Sequence, residues 1–334
     1  MVAKRKGGRL RVHVENNPKA AEVNHVTAVN FKAAVKKHPG LTKKLDISFG
    51  FDPAKLGTIL PEVEVLVLSG GVDMSEVRAK AARLKWIQST SAGVEKLVEH
   101  VPDDIILTNA SGVHGPKGGE YAMTALLMLN HGVPHFVTAQ RASKWDQVHA
   151  TPIEGKTVVI VGTGALGSAA ARLAKRFGMR VLGVSRSGKK SPLFERMYTP
   201  KQLAKALPKA DFVIVTTPLT EETRGMIGRA ELDLLPRHAG LVNLGRGPVI
   251  DNDALADKLR KGELSGAVLD VFPQEPLPAD SALWSTPNLI MSPHCAVDDA
   301  EAYAARALDI FLKNLARYLA GRKLNNVVDT RLGY

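Results

Sequence analysis

Lys156-Thr157-Val158-Val159-Ile160-Val161-Gly162-Thr163-Gly164-Ala165-Leu166-Gly167 is the stretch that decides the fold. Its first half is a continuous apolar run of strand length, the pattern of a parallel strand buried on both faces. Its second half is G-x-G-x-x-G, followed by a helical pattern over Ala165–Phe177. Strand, glycine turn and helix in that order form a dinucleotide-binding unit. Gly162 permits the tight turn, Gly164 lets the backbone approach a pyrophosphate, and Gly167 lets helix and strand pack closely. Ala165 and Leu166, at the helix start, offer N–H groups and partial positive charge to the phosphates.

Working outward, the same rhythm continues. Short β runs at Arg180–Val184, Phe212–Val215, Leu241–Leu244, Ala267–Val271 and Leu289–Met291 alternate with helical stretches at Pro200–Leu207, Arg229–Leu235, Asn252–Lys261 and Ala300–Leu319. Upstream, Leu10–Val14, Ile47–Phe49, Val63–Ser69, Trp86–Ser89 and Ile105–Thr108 form a second series, with helical stretches at Val23–Lys37 and Met74–Leu84. Such alternation predicts parallel sheets covered by helices, an α/β class with two units. Gly119–Leu129 reads as a long helix linking them, and the last helix has no strand partner nearby in sequence.

Composition bounds the function. The chain has 334 residues, 45% hydrophobic and 23% charged, which excludes disorder as its main state. No apolar run approaches the ~20 residues of a membrane span. Met1–Arg11 is basic without the apolar core of a signal peptide, and the single cysteine, Cys295, excludes an intrachain disulfide. A reducing, cytoplasmic setting is expected. The net charge of +12 fits nucleic acid, a membrane surface or anionic small molecules. No nucleic-acid fold signature accompanies it, so small anions are expected.

The cofactor choice is read about 20 residues past Gly162, where NAD-binding folds carry a carboxylate for the ribose hydroxyls. Here the strand ends at Val184 and Ser185-Arg186-Ser187-Gly188-Lys189-Lys190 follow, without an acid. Ser185, Arg186 and Ser187 suit a 2′-phosphate. NADP(H) is therefore expected as the preferred cofactor, with NAD(H) possible.

Three further residues follow late strands: Arg246 in Val242–Gly247, Glu275 in Leu269–Pro276, and His294 in Met291–His294. Ligands of open α/β sheets sit outside the carboxyl ends of the strands, so the three converge on one crevice. Ketone reduction by hydride needs a proton for the developing alkoxide, and an imidazole suits that task. A carboxylate beside it orients the ring and favours its protonated form. A guanidinium polarises the carbonyl and grips a neighbouring carboxylate through two hydrogen bonds.

Together these motifs resemble the D-isomer-specific 2-hydroxyacid dehydrogenases. The likeness rests on Gly162–Gly167, Thr217–Gly225 (T-P-L-T-E-E-T-R-G), Val242–Gly247, Leu269–Leu277 (L-D-V-F-P-Q-E-P-L) and Ser292-Pro293-His294, in that order, with Trp86–Gln88 and Ser91–Glu95 upstream. It runs from about Val63 to about Leu319. It implies two Rossmann-like doubly wound domains with the active site between them: a substrate domain of residues 1–110 plus 299–334, and a nucleotide domain of 111–298. It implies Arg246 as carbonyl and carboxylate binder, His294 as acid/base and Glu275 as its partner. It further implies that Ala92 and Gly93 present N–H groups to the substrate carboxylate, and that Asp270 contacts the nicotinamide carboxamide. Thr217, Pro218, Leu244 and Ala296 would line the cofactor site. The outer wall of the substrate pocket would come from Leu68-Ser69-Gly70-Gly71 and from residues near Trp284.

The resemblance also implies a homodimer and a small 2-keto or 2-hydroxy acid substrate. Ser185-Arg186-Ser187 is similar to the loop of NADPH-preferring glyoxylate and hydroxypyruvate reductases, with pyruvate-like acids the neighbouring option. Corepressor-like proteins of the same fold bind NAD(H) and are the alternative, but no regulatory extension is seen. The formate-oxidising branch pairs its histidine with Gln, and Glu275 argues against it. None of the ten histidines stands at metal-ligand spacing with Cys or acids, so no metal is expected. Cys295 reads as a small apolar residue, His114 as a hinge or surface group, and Lys4–Arg9 as a disordered tail.

Overall fold

The run Thr157–Val161 is buried along its whole length and forms the strand on which the larger sheet is built. Fully burying a Val or Ile side chain is worth roughly 1.5–3 kcal/mol, so this run strongly prefers a sheet interior. In the computed structural model, which describes residues 8–70 and 74–334, the chain makes twelve strands and two parallel sheets. In chain order the strands are β1 (Leu10–Asn16), β2 (Leu45–Gly50), β3 (Val65–Ser69), β4 (Trp86–Ser89), β5 (Ile106–Thr108), β6 (Thr157–Val161), β7 (Arg180–Val184), β8 (Arg196–Tyr198), β9 (Phe212–Val215), β10 (Gly240–Asn243), β11 (Gly266–Leu269) and β12 (Leu289–Met291).

The chain divides into two units. One takes in the residues up to Val113 and Asp299–Tyr334, the other His114–Asp298. In the first, the sheet order is β2-β1-β3-β4-β5. Leu10, Val12 and Val14 of β1 and Val65 and Val67 of β3 pack with Leu308, Phe311, Leu312 and Leu315 of the helix Tyr303–Leu319. Trp86 lies 5.4 Å from both Phe311 and Tyr318, ring centre to ring centre. The last helix thus finds its strands at the start of the chain.

In the second unit the order is β12-β11-β10-β9-β6-β7-β8. β6 pairs with β7 on one side and β9 on the other, so the direction of winding reverses at the carboxyl ends of β6 and β9. That switch point is where open α/β sheets bind ligands. Helix Gly115–Asn130 covers this sheet and packs on helix Ala165–Arg176. A Cβ on Gly118 would lie 2.2 Å from Leu166, and one on Gly119 3.2 Å from Ala169, so the glycines let the two helices approach.

Several elements differ in extent from the sequence reading. The helix expected at Gly119–Leu129 starts at Gly115. The one expected at Met74–Leu84 shrinks to Ser75–Lys80. Pro200–Leu207 breaks into a 3-10 turn and the short helix Leu203–Ala206. β8 is an additional edge strand, three residues long. Gly71 and the basic run Lys4–Gly7 lie outside the described residues. Among the described residues no helix is long and apolar enough to cross a membrane.

Candidate active site

The glycine turn after β6 has the strained geometry its sequence requires. Gly162 sits at φ +98°, where a Cβ would lie 2.8 Å from the Thr217 nitrogen. A Cβ on Gly167 would lie 2.0 Å from the Gly162 carbonyl oxygen. Gly164 is different, because a Cβ there would meet nothing within 4 Å. The backbone at Gly164 therefore borders open space, and the helix that starts at Ala165 has no side-chain cap. The N–H groups near Ala165 and Leu166 fit a ligand's phosphates. Across the switch point, Thr216 Oγ1 donates to the Gly162 carbonyl at 2.7 Å. The Thr217 hydroxyl is buried with no hydrogen-bond partner among the described residues. An open cradle and an orphaned hydroxyl together fit a dinucleotide. Pro218 accepts from Thr223 Oγ1 at 2.7 Å, which folds the loop back, and Leu244, just after β10, is buried.

Past β7, Ser185 to Gly188 form a tight turn. The Gly188 N–H donates to Ser185 Oγ at 3.2 Å, and the Ser185 N–H bonds the Tyr198 carbonyl of β8. Arg186, Ser187, Lys189 and Lys190 are exposed and no carboxylate stands in the turn.

Arg246, Glu275 and His294 follow β10, β11 and β12, three adjacent strands. The Arg246 turn is held by buried Asn243, which donates to the Arg246 carbonyl at 3.0 Å and accepts from the Gly245 N–H at 3.1 Å. The guanidinium donates to the Gly245 carbonyl at 2.8 Å. A Cβ on Gly247 would lie 1.9 Å from the Phe272 backbone, so the turn after β10 is packed hard against the segment after β11. There the Phe272 N–H donates to Glu275 Oε1 at 2.9 Å. The other oxygen, Oε2, meets His294 Nδ1 at 2.6 Å. Nδ1 is thus committed to Glu275, and Nε2 is the nitrogen that can pass a proton to a ligand. His294 itself sits at φ +51°, a left-handed backbone that a non-glycine residue rarely adopts.

Asp270 lies beneath this turn and is buried. Its Oδ1 accepts from Ser292 Oγ at 2.7 Å, the Cys295 N–H at 3.2 Å and the Ala296 N–H at 3.1 Å. Burial pushes its carboxyl above the usual value, opposed by those hydrogen bonds and by nearby His294. Ser292 in turn meets the Tyr121 hydroxyl at 3.0 Å. Tyr121 was not singled out by sequence, since it occupies an apolar helix stripe. Cys295 is exposed, and partial burial with Asp270 and Asp298 nearby pushes its thiol up, away from the reactive thiolate. His114 lies 3.3 Å from Asp298, where the chain enters and leaves the second unit.

The remaining expected residues lie on the first unit. The turn after β4 is tied down by its carbonyls: Thr90 accepts from Tyr303 Oη at 3.1 Å, Ser91 from the Ala110 N–H at 3.0 Å, and Ala92 from Asn109 Nδ2 at 2.9 Å. Among the described residues neither the Ala92 nor the Gly93 N–H has a partner. Ser69, at the end of β3, is buried and its hydroxyl donates to the Asn24 carbonyl. Among the described residues no group of three or more His, Cys, Asp or Glu side chains stands ready for a metal.

Residues 123–296, more than half of the chain, match the family model described as "D-isomer specific 2-hydroxyacid dehydrogenase, NAD binding domain". The chain belongs to this family. As a 2-hydroxyacid dehydrogenase it is an NAD(P)-dependent oxidoreductase. It is 34% identical to a glyoxylate reductase of Korarchaeum cryptofilum over 277 residues, 79% of this chain and 82% of the relative. It is 30% identical to a D-3-phosphoglycerate dehydrogenase of Methanocaldococcus jannaschii over 303 residues, 86% of this chain, and spans only 55% of that relative's length. Among solved structures it resembles an NADPH-dependent glyoxylate/hydroxypyruvate reductase from Sinorhizobium meliloti, in complex with NADP and sulfate. The TM-score is 0.80 at 26% identity, with 98% of this dehydrogenase and all of that chain covered.

The glycine turn of this dehydrogenase yields a paired prediction. Gly167→Ala forces a carbonyl and a methyl together and should lower Tm by about 5 °C or more. Gly164→Ala points its methyl into open space and should leave Tm within about 1 °C, while weakening dinucleotide binding about tenfold or more. Thermal melts and fluorescence titration with reduced cofactor read both. Equal loss of Tm in the two variants would contradict the assignment of Gly164 to the ligand.

Proposed function

We propose that this dehydrogenase reduces a small 2-keto acid of the glyoxylate, hydroxypyruvate or pyruvate kind to the D-2-hydroxy acid, with NADPH preferred over NADH and His294 as proton donor. The observation that carries the reading is the 2.6 Å contact between His294 Nδ1 and Glu275 Oε2 at the carboxyl end of the sheet. A bound reduced nicotinamide supplies the hydride. The chain's own residues do the rest. Glu275, itself held by the Phe272 N–H, fixes the ring so that Nε2 delivers a proton to the developing alkoxide. Arg246 polarises the carbonyl and grips the carboxylate. The Ala92 and Gly93 N–H groups are assigned to the same carboxylate and Ser69 to the pocket wall. Gly162, Gly164, Ala165, Leu166, Gly167, Thr217, Pro218, Leu244, Asp270 and Ala296 are assigned to the cofactor. We assign substrate binding to residues 1–110 with 299–334 and cofactor binding to 111–298. The homodimer and the cytoplasmic setting rest on the resemblance and on the single cysteine.

Substrate size is supported by the likeness to glyoxylate reductases, and the cofactor choice by the turn Ser185–Lys190, with three cations and no acid. The test is Arg186→Asp. Replacing a phosphate-binding cation by a carboxylate should cut the ratio of kcat/KM for NADPH to that for NADH about tenfold or more. A ratio unchanged by the substitution would overturn the assignment of this turn to the 2′-phosphate.

A further inference from the structure

Left-handed backbone at His294 costs free energy, and something nearby must hold it. The groups that do so are on the page. The two residues after His294 give their N–H groups to a single oxygen of Asp270, Oδ1. The same oxygen takes the Ser292 hydroxyl from two residues before His294. Asp270 therefore clasps the turn from both sides of the histidine. A serine hydroxyl has one hydrogen, and Ser292 gives it to the carboxylate. The Tyr121 hydroxyl, 3.0 Å away, is then the donor to Ser292. The chain of donation runs Tyr121 to Ser292 to Asp270, and ends on the turn that aims the imidazole.

We propose that Tyr121 and Ser292 are positioning residues for the reaction: through Asp270 they lock the His294 turn in its left-handed form. The inference rests on the reading of His294 as proton donor. Tyr121 comes from the helix Gly115–Asn130, whose packing on the cofactor-loop helix fixes its height above the sheet. Ser292 follows β12, where its N–H bonds the Leu269 carbonyl of β11. Both hydroxyls are thus anchored by regular elements, one by the covering helix and one by the end of β12. The titratable groups around Asp270 are His294, Tyr121 and Cys295, with Asp298 beyond the thiol. Asp270 is already disposed to take up a proton by its burial, and a protonated Asp270 is a poorer acceptor for the three donors. Removing the Ser292 donor therefore loosens the clasp and makes it fail at higher pH.

The experiment compares wild type with Ser292→Ala, Tyr121→Phe, the double variant and Ser292→Thr. Hydrogen–deuterium exchange of peptides spanning Ser292–Val297 reads the clasp without turnover, and the pH profile of kcat reads its consequence. Ser292→Ala should speed amide exchange about tenfold, lower kcat about tenfold and move the acid limb of the profile up by about one pH unit. Tyr121→Phe should do the same more weakly. The double variant should be no worse than Ser292→Ala alone, because Tyr121 acts through Ser292. Ser292→Thr keeps the hydroxyl and should stay within about threefold of wild type. Exchange unchanged in both single variants overturns the clasp. Faster exchange with a wild-type kcat and pH profile overturns its catalytic role. If wild type reduces no 2-keto acid, it is the function proposed above that fails, and exchange alone still decides the clasp.

Discussion

His294→Ala should lower kcat by about a hundred- to ten-thousand-fold with little change in Tm, because it removes the proton donor that Glu275 holds in a fixed orientation. The ring is 41% exposed, so its loss removes little buried surface. Its Nδ1 is bound to Glu275 at 2.6 Å, and that carboxylate is itself held by the Phe272 N–H at 2.9 Å. Glu275→Gln should therefore give a smaller loss, about ten- to hundredfold, since an amide still fills the place but replaces a charge-assisted hydrogen bond to Nδ1 by a weaker neutral one and orients the ring less firmly. The check is steady-state kinetics beside a thermal melt. A fall in kcat below about tenfold for His294→Ala would show that the alkoxide draws its proton from elsewhere.

The second large effect is at Arg246. Its turn is fixed by Asn243 and packed against Phe272, so the guanidinium is offered from a rigid base. A keto acid presents a carbonyl and a carboxylate side by side, and a planar fork matches both. Arg246→Ala should cut kcat/KM about a thousandfold, the equivalent of two charge-assisted hydrogen bonds. Arg246→Lys should recover less than about tenfold of that loss, because an ammonium keeps the charge without the fork. Full activity in the lysine variant would mean that Arg246 contributes only a diffuse positive field.

Much of the fold was legible because buried parallel strands are nearly all apolar. Val158–Val161 and Phe212–Val215 read as strands by their short length, β-branched content and flanking turns, and the glycines after Val161 fix where the sheet turns to helix. β8 escaped because an edge strand of three residues, Arg196-Met197-Tyr198, has no apolar run to betray it. The start of helix Gly115–Asn130 escaped because Gly115, Gly118 and Gly119 resemble a loop in sequence, whereas Gly118 and Gly119 serve close helix packing in space. In the candidate site, Arg246, Glu275 and His294 stood out only as a set, each just past a late strand where open α/β sheets bind ligands and each in a motif of the family; taken singly, each has an ordinary structural reading. Tyr121 did not, because its partner Ser292 is 171 residues away and its own surroundings are apolar. The brace on Arg246 by Asn243 is local, yet only the backbone geometry of the turn makes it visible. The net charge of +12 acquires a partial meaning: Arg186, Lys189 and Lys190 stand together in one turn without an acid.

The most direct measurement is a panel of glyoxylate, hydroxypyruvate, pyruvate, phenylpyruvate and 2-ketoisocaproate, each with NADPH and with NADH, followed by the absorbance of the reduced cofactor. Turnover of glyoxylate or hydroxypyruvate above the bulkier acids, with kcat/KM higher for NADPH than for NADH, is the predicted result. No turnover with any of the five, or kcat/KM for NADH equal to or above that for NADPH, would contradict it.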